Sequence, residues 1–383
     1  MEDRLARWLL DRLAEESGAQ ITDLSLVSLE RPGAGQSSET ILFTARWREG
    51  GHPRSADLVL RRRPGPDGIF MNPSAVREFS VLAGLARHSR VPVPAVRWAE
   101  PDAAVLGAPF FVMDQVPGRV PAAKPSIHRV GWLLPLRPDE RRRLWESAMD
   151  VLVAVHAVPW RRSHAFLAEE GGEPGLRAHL DRTAAWYRWA VGDRRFAITD
   201  AALEYLLDNR GAVTPGDPVL VWGDARIGNM IFADDLTVAA AIDWEVATIG
   251  PAAVDVAHWL IFDEFATTAC GVQRLPGFPD RRATIAQYQD RSGRTLHDLE
   301  YFEVLQGLFL ATTLIRQADA GIRSGRLAEG SRMGHDNAVT QMLARRLGLP
   351  VPELAEDYVR HRRLDAVPSA APDPHADTGT IDL

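Results

Sequence analysis

Two neighbouring segments are the most informative part of this sequence: Val219-Leu-Val-Trp-Gly-Asp-Ala-Arg-Ile-Gly-Asn-Met-Ile-Phe232 and Ala239-Ala-Ala-Ile-Asp-Trp-Glu245. They hold three oxygen-bearing side chains at fixed intervals: Asp224, Asn229 five positions later, and Asp243 fourteen positions after that. A surface loop with ordinary Asx turns is the alternative explanation, because Asp and Asn are common in such loops. The presence of three such residues between apolar strands favours a functional site over a surface loop.

Apolar runs around these residues predict short strands. Residues 219–222, 230–232 and 238–244 are rich in β-forming side chains, and residues 233–236 have the composition of a turn. The last two runs therefore predict a tight antiparallel hairpin. Such a hairpin places the asparagine before its first strand next to the aspartate at the end of its second.

This set of side chains suits phosphoryl transfer. In that chemistry one aspartate orients a substrate hydroxyl and accepts its proton, while an asparagine and a second aspartate hold magnesium at the nucleotide phosphates. Asp224 is the candidate for the first role, and Asn229 and Asp243 are the candidates for the metal. Arg226 could stabilise the charge on the transferred group, although an ordinary surface arginine explains it as well.

Composition agrees with a globular enzyme. The chain of 383 residues is 46% hydrophobic and 25% charged, which predicts a large core and two or more lobes. A net charge of -7 gives no basic surface for nucleic acid. Cys270 is the only cysteine, which fits a reducing cytoplasm, and no apolar run approaches the ~20 residues of a membrane span. We expect a cytoplasmic monomer or homodimer without a membrane partner.

The chain upstream of these motifs has the pieces of a nucleotide-binding lobe. Residues 21–29 and 40–47 are β-type runs, and the polar loop 28–39 between them could turn backbone N–H groups towards phosphates. A plain turn is the alternative for this loop. The candidates for phosphate binding are Gly33, Gly35, Ser37 and Ser38.

A strand and a helix follow this loop. Residues 57–63 predict a strand that ends in three arginines, and Arg61 is the candidate phosphate cation because Lys124 is the only lysine in the chain. Residues 72–86 predict an amphipathic helix, in which Glu78 could pair with Arg61 and hold it over the phosphates. Attraction of glutamate to a helix start is the alternative explanation for Glu78.

Residues 108–118 predict a buried strand that breaks at a Pro-Gly turn and forms a hinge between lobes. Backbone groups near Asp114 and Val116 could bind the adenine edge, with Met113 behind it. Any core strand that ends in a Pro-Gly turn would look alike.

Other segments are assigned from periodicity. Residues 1–13 predict an amphipathic helix, and residues 140–158, 175–191 and 299–324 predict the helices of a large lobe. The C-terminal residues are rich in Pro, Ala and Asp and predict a poorly ordered tail.

Together these motifs resemble the aminoglycoside phosphotransferase and choline kinase superfamily, most closely its actinobacterial branch. The resemblance spans residues 20 to 350 and implies ATP, with GTP as an alternative, and Mg²⁺ as cofactors. It also implies an α+β, bilobal, protein-kinase-like fold. Residues 1–115 would form a small lobe with an antiparallel sheet and a helix, 116–363 a larger helical lobe, and 364–383 the tail. The segments that carry the resemblance are residues 33–40, 59–61, 77–79, 110–118, 156–158, 222–230, 242–245 and 251–255.

Two positions depart from the superfamily pattern. Trp222 stands where most members have a histidine, and Glu245 stands where they have a glycine. We expect Trp222 to pack under the loop. Asp255 resembles the aspartate that supports the catalytic loop, with a helix N-cap as the alternative. Asp255, Glu245 and Asp263 are also the candidates for the substrate side of the site.

The acceptor is expected to be a small molecule. Eleven residues separate Asp243 from Asp255, which leaves no room for the long activation segment that protein substrates require. The sequence therefore predicts transfer of the γ-phosphoryl group of ATP to a hydroxyl of an aminoglycoside-type compound, another antibiotic or a metabolite. The alternatives are a non-catalytic, pseudokinase-like nucleotide-binding regulator and a housekeeping kinase for a choline-like or sugar-like alcohol.

Overall fold

The structure is a computed structural model and describes residues 1–30, 38–63, 68–122, 124–169 and 173–362. Gly33, Gly35 and Ser37 of the predicted phosphate loop lie outside these ranges, as does the predicted tail at residues 364–383. Their assignments stay predictions.

The N-terminal part is an antiparallel sheet with helices on its two faces. The five strands run in the order β1-β2-β3-β5-β4, with every neighbouring pair antiparallel. Helix α2 begins after Ser74, whose side chain accepts a hydrogen bond from the Arg77 amide. The elements of this part are α1 (Glu2–Ser17), β1 (Ile21–Glu30), β2 (Glu39–Glu49), β3 (His52–Arg62), α2 (Ala75–His88), β4 (Val96–Glu100), α3 (Ala103–Leu106) and β5 (Phe110–Asp114).

Strand β3 is buried on both faces at Leu58, Val59 and Leu60. Val59 packs in the larger core of the protein, on the side of helix α2. Leu58 and Leu60 point to the other face and pack in a second apolar cluster with Leu5 and Leu9 of α1. The amphipathic face predicted for the N-terminal helix thus covers the outer side of the sheet.

The C-terminal part is mainly helical. Helix α11 is the longest, with 25 residues, and it contacts α7, α8, α9 and α12, so it forms the centre of the large core. The elements of this part are α4 (Pro138–His156), α5 (Trp160–Ser163), α6 (Phe166–Glu169), α7 (Leu176–Val191), α8 (Ala197–Asn209), β6 (Pro218–Val221), β7 (Met230–Phe232), β8 (Val238–Ala241), β9 (Thr248–Pro251), α9 (Ala253–Ala266), α10 (Arg281–Ser292), α11 (Leu299–Arg323), α12 (Ala338–Leu347) and α13 (Glu356–His361), with 3-10 turns at Arg210–Ala212, Ile227–Asn229 and Thr268–Cys270.

The predicted hairpin is present as strands β7 and β8. Met230 pairs with Ala241, and the Ile242 amide donates to the Asn229 carbonyl at 3.0 Å. The asparagine and the segment that leads to Asp243 are therefore adjacent. Strand β6, which precedes the loop of Asp224, pairs instead with β9, a pairing that the sequence analysis did not predict.

The segment after β5 joins the sheet to this hairpin. Gly118 has φ +146°, and a Cβ atom there would lie 2.6 Å from the Phe232 carbonyl oxygen, so a larger residue would be excluded. The next residue, Arg119, exchanges two backbone hydrogen bonds of 2.9 Å with Phe232. The chain is thus fixed against β7 as it leaves the sheet.

The helices of the described residues are too short or too polar to cross a bilayer.

Candidate active site

Asp224 lies in the loop between β6 and β7 and is held by three donors. Its Oδ1 atom accepts hydrogen bonds from Arg226 Nε at 3.0 Å and from His258 Nε2 at 2.8 Å. Its Oδ2 atom accepts one from Asn229 Nδ2 at 2.6 Å. Gly223 before it has φ +90° and passes so close to the Val246 carbonyl that a Cβ would lie 2.8 Å from it. The position of the carboxylate is therefore fixed from several sides.

The same contacts keep Asp224 ionised. Burial by itself would raise the pKa of this carboxyl, but the Arg226 charge and the hydrogen bonds from His258 and Asn229 hold the pKa well below its ordinary value. An ionised carboxylate is the form that can orient a hydroxyl and accept its hydrogen bond.

Asn229 and Asp243 provide oxygen atoms beside this carboxylate. Asn229 is fully buried, and its Nδ2 group is used on Asp224, while its Oδ1 atom has no hydrogen-bond partner among the described residues. Asp243 follows β8 with φ +66°, a strained backbone for a residue other than glycine. A buried amide oxygen without a partner near a carboxylate fits a hard divalent cation.

A metal here would need ligands from outside the protein. The described residues contain no cluster of three or more His, Cys, Asp and Glu side chains arranged for a metal ion. Magnesium commonly takes one or two protein carboxylates and completes its shell with phosphate and water oxygens. Asn229 and Asp243 are a donor set of that type.

Arg61 connects the sheet to this site. Its Nη2 atom lies 3.1 Å from Glu78 Oε1, the predicted pair, and 2.9 Å from Asp243 Oδ1, which was not predicted. Burial would lower the pKa of Arg61, but Glu78, Asp243 and Glu245 raise it overall, so the guanidinium stays charged. Burial raises the pKa of Glu78, and Arg61 opposes this rise. Arg61 thus links the sheet to the segment of Asp243, and its contact with phosphate stays a prediction.

Ser38 and Glu245 meet across the cleft. The Ser38 hydroxyl donates to Glu245 Oε2 at 3.1 Å, and it lies directly after the undescribed part of the predicted phosphate loop. Glu245 lines a small cavity together with Asp224 and Asp243. Glu245 therefore belongs to the same site as the two aspartates, and a contact with substrate stays a prediction.

The predicted adenine-binding segment is the end of β5. Met113 packs in the large core, and the Asp114 amide is used on the Ala95 carbonyl at 2.8 Å. The Asp114 side chain accepts from Arg97 Nε at 2.6 Å, and Val116 is half-buried in the segment that leaves the sheet. Nucleotide contacts by these residues stay predictions. The Asp114 N–H already donates to the Ala95 carbonyl and is therefore not open to the adenine edge.

Asp255 requires a correction. It is fully buried, and its two oxygens accept the amides of Trp222 and Gly223, each at 2.7 Å, while His156 Nε2 lies 3.0 Å from Oδ2. Burial and these contacts contradict the substrate-side assignment of Asp255. It lies inside α9, whose N-cap is Ala252, so the N-cap alternative is wrong as well. Asp255 supports the loop that carries Asp224.

Trp222 packs under that loop, as expected. It is fully buried and stacks on Trp244, with ring centroids 5.0 Å apart. Its indole N–H donates to the carbonyls of Ile242 and Asp243, both at 3.1 Å. The tryptophan thus ties the loop of Asp224 to the segment of Asp243.

An apolar cavity opens beside Arg226. Its polar lining includes one carboxylate among the described residues, Asp263, which pairs with Arg274 at 2.6 Å. Burial raises the pKa of Asp263, and Arg274 opposes this rise. The predicted substrate-side residue Asp263 is therefore at the cavity but already paired. The apolar lining residues include Trp145, Trp259, Phe262, Phe265, Phe278, Leu310 and Leu314.

Comparison with known proteins decides the family. The sequence model of the phosphotransferase enzyme family matches residues 28–297. The chain belongs to this phosphotransferase family. The predicted superfamily and the kinase-like α+β fold are thereby confirmed, and the chain is a kinase-like enzyme of a family of small-molecule phosphotransferases.

Solved phosphotransferase structures share the fold. A Ralstonia eutropha protein classed as an aminoglycoside phosphotransferase superposes with a TM-score of 0.64 at 22% identity, covering 90% of this chain and 98% of that chain. Macrolide 2'-phosphotransferase type I gives a TM-score of 0.52 at 20% identity, covering 83% and 92%. A variant of aminoglycoside phosphotransferase APH(4)-Ia in complex with ADP and hygromycin B gives 0.50 at 17%, covering 88% and 98%.

Curated relatives of this phosphotransferase carry a different name. The Arabidopsis thaliana protein named probable acyl-CoA dehydrogenase IBR3 is 30% identical over 250 residues, which is 62% of this chain and 28% of that protein. Human acyl-CoA dehydrogenase family member 11 is 27% identical over 241 residues, 60% of this chain and 29% of that protein. The chain thus spans less than a third of the length of these two relatives.

His258 belongs to the phosphotransferase site but was not among the residues predicted from the sequence. His258 reaches Asp224 from helix α9, which begins 29 positions after the aspartate. A signal was present, because His258 and Asp255 are three positions apart and so share one face of a helix. Since Asp255 supports the loop, a residue one turn later could reach the aspartate on it.

Proposed function

We propose that this phosphotransferase uses ATP and Mg²⁺ to phosphorylate a hydroxyl group on a small amphipathic molecule in the cytoplasm. The hydrocarbon body of that molecule would fill the apolar cavity. The observation that carries this proposal is that the apolar cavity and the small cavity of the carboxylates share part of their walls. Phe262, Leu310 and Thr313 line both the apolar cavity and the small cavity of Asp224 and Asp243.

The lining of the apolar cavity supports this acceptor class. A polycationic sugar antibiotic would need several unpaired carboxylates, but Asp263 is paired with Arg274. The cavity instead offers five tryptophan and phenylalanine side chains, three of them on helix α9, with the guanidinium of Arg226 near Asp224. Cavities of this type bury apolar ligand surface and use a few polar groups for orientation.

The curated relatives support a narrower choice. They are named as acyl-CoA dehydrogenases, and this chain matches less than a third of the two described above. An acyl chain is apolar, as is most of the lining of this cavity. We therefore propose a hydroxylated acyl compound as the acceptor, in preference to an aminoglycoside, a macrolide or choline.

The residues divide the chemistry among them. Asp224 would orient the acceptor hydroxyl and receive its hydrogen bond, with Arg226 placed to offset charge near the transferred group. Arg61, held by Glu78, would contact phosphate oxygens. Asn229 and Asp243 would hold Mg²⁺. When bound, this ion would neutralise phosphate charge.

Arg61 provides a test of nucleotide binding. Replacing Arg61 with Gln is expected to raise the KM for ATP about tenfold, because a hydrogen bond to a charged group contributes roughly 1.5–3 kcal/mol. Arg61→Lys keeps the charge and is the matched control, with an expected change below about threefold. Steady-state kinetics at saturating acceptor measure both variants, and equal KM values for Arg61→Gln and the wild type would contradict the assignment.

The acceptor class has its own test. A phosphate-transfer screen should show turnover of hydroxylated fatty acids or their thioesters, and no turnover of aminoglycosides. Leu314→Gln places a polar group in the apolar cavity, and we expect it to raise the acceptor KM about tenfold, the equivalent of roughly 1.4 kcal/mol. The KM for ATP should stay unchanged.

The matched control for this variant is Ile322→Gln. Ile322 lies on the same helix α11, is half-buried and does not belong to the described lining of either cavity. Its acceptor KM should equal that of the wild type. Turnover of aminoglycosides, or an equal response of both variants, would contradict the proposed acceptor class.

A further inference from the structure

A buried histidine lies behind the candidate catalytic aspartate. His258 is fully buried on α9, and its Nε2 atom lies 2.8 Å from Asp224 Oδ1. Its Nδ1 atom lies 2.9 Å from Oε1 of Gln306 on α11, which is also buried. The ring packs against Phe262, with centroids 4.8 Å apart, and against Phe309 at 5.9 Å. Both ring nitrogens are therefore engaged, and the ring is fixed on its sides.

The hydrogen bonds of Asp224 leave one direction open. An ionised carboxylate has about four lone-pair sites, two on each oxygen. Oδ1 accepts from both Arg226 and His258, while Oδ2 accepts from Asn229. The remaining site on Oδ2 is the one for an acceptor hydroxyl. His258 thus helps to decide which oxygen faces the substrate.

Trp222 stands two residues before Asp224, and its indole N–H is used on the carbonyls of Ile242 and Asp243. The contact with Asp224 comes instead from His258 on helix α9. Because an ionised carboxylate only accepts hydrogen bonds, Nε2 must carry a proton. A hydrogen bond from Nδ1 to the Gln306 oxygen needs a second ring proton, whereas a Gln306 amide with its oxygen and nitrogen exchanged would donate its NH2 group to Nδ1.

We propose that His258 is a positioning residue for phosphoryl transfer, which fixes the rotamer of Asp224 so that Oδ2 meets the acceptor hydroxyl. This inference rests on the proposed function. His258 acts through Asp224 and does not itself touch substrate. Without it, Oδ1 would keep one side-chain donor, Arg226, and the carboxylate could rotate within the loop. A misplacement of about 1 Å in such a group lowers turnover on the order of 100-fold.

A double-mutant cycle tests this role. His258→Phe is expected to lower kcat about 10- to 100-fold, with little change in the KM for ATP. In the Asp224→Asn background the same substitution should change kcat by less than about twofold, because the residue through which it acts is already altered. A radiolabelled-ATP assay has the sensitivity for these residual rates.

Two further variants separate positioning from a structural role. His258→Gln keeps a side-chain donor and should recover much of the lost kcat. His335→Phe changes a histidine that stacks on Phe196, with centroids 4.1 Å apart, and should leave kcat at the wild-type value. Equal losses from His258→Phe in the wild-type and Asp224→Asn backgrounds would overturn the proposal, as would a wild-type kcat for His258→Phe.

A spectroscopic measurement makes the result independent of the acceptor. If the wild type phosphorylates no acceptor in the screen, the proposed function fails. The hydrogen bond between His258 and Asp224 can still be tested, because the ring N–H signals of nitrogen-15-labelled histidine report on it. The His258 Nε2–H signal should be protected from exchange, absent in His258→Phe and shifted in Asp224→Asn. A His258 Nε2–H signal with the same chemical shift in the wild type and in Asp224→Asn would overturn the inference.

Discussion

Replacing Asp224 with Asn is expected to lower kcat about 100-fold or more, the typical contribution of a positioned acid or base. The amide cannot take the proton of the acceptor hydroxyl. Its NH2 group would also point at groups that donate hydrogen bonds to the carboxylate in the wild type. These donors are Arg226, His258 and Asn229. Single-turnover measurements with Mg-ATP and an acceptor found by the screen give the rate of the chemical step.

Nucleotide binding should survive this substitution. Asp224 is not among the proposed metal ligands, and Arg61 contacts Asp243 rather than Asp224. The dissociation constant for Mg-ATP, measured by calorimetry, should therefore stay within about twofold. Turnover equal to the wild type would refute the role of Asp224. Loss of Mg-ATP binding would instead indicate that Asp224 helps to bind the metal ion.

Replacing Asp255 with Ala is expected to lower the free energy of unfolding by about 3–5 kcal/mol, because it leaves buried groups without their charged partner. Two backbone amides, those of Trp222 and Gly223, lose their acceptor, and so does the His156 ring. No water can replace the lost carboxylate easily, since Asp255 is fully buried. Urea unfolding followed by circular dichroism measures the change.

The surface aspartate Asp150 is the matched control for this substitution. It lies on α4 with its side chain 64% exposed and pairs with Arg291. Asp150→Ala should therefore change the free energy of unfolding by less than about 1 kcal/mol. A raised acceptor KM with unchanged stability in Asp255→Ala would restore the substrate-side assignment that the structure contradicts.

Local patterns made much of the site predictable. The hairpin of β7 and β8 follows from two β-forming runs around a turn, and it brings Asn229 beside the segment of Asp243. The pair of Arg61 and Glu78 follows from a strand and the next helix, only 17 positions apart. Neighbouring elements are usually adjacent in space, so such contacts can be inferred from order.

Contacts across the molecule could not be predicted in this way. Arg61 and Asp243 are 182 positions apart, and Ser38 and Glu245 are 207 apart. These contacts depend on how the sheet packs on the helical part, which spacing along the chain does not determine. For Asp255, the resemblance implied that it supports the catalytic loop, but the helix pattern alone did not show its burial, so it was also assigned to the substrate side.

The central claim is that Asn229 and Asp243 hold a divalent ion at the phosphates of a nucleotide, next to Asp224. A crystal structure with AMP-PNP and Mn²⁺, using the anomalous signal of manganese in place of magnesium, tests it most directly. We predict a peak about 2.0–2.3 Å from Asn229 Oδ1 and from a carboxylate oxygen of Asp243, with phosphate oxygens completing the shell. A bound nucleotide whose metal ion contacts neither residue would contradict the account.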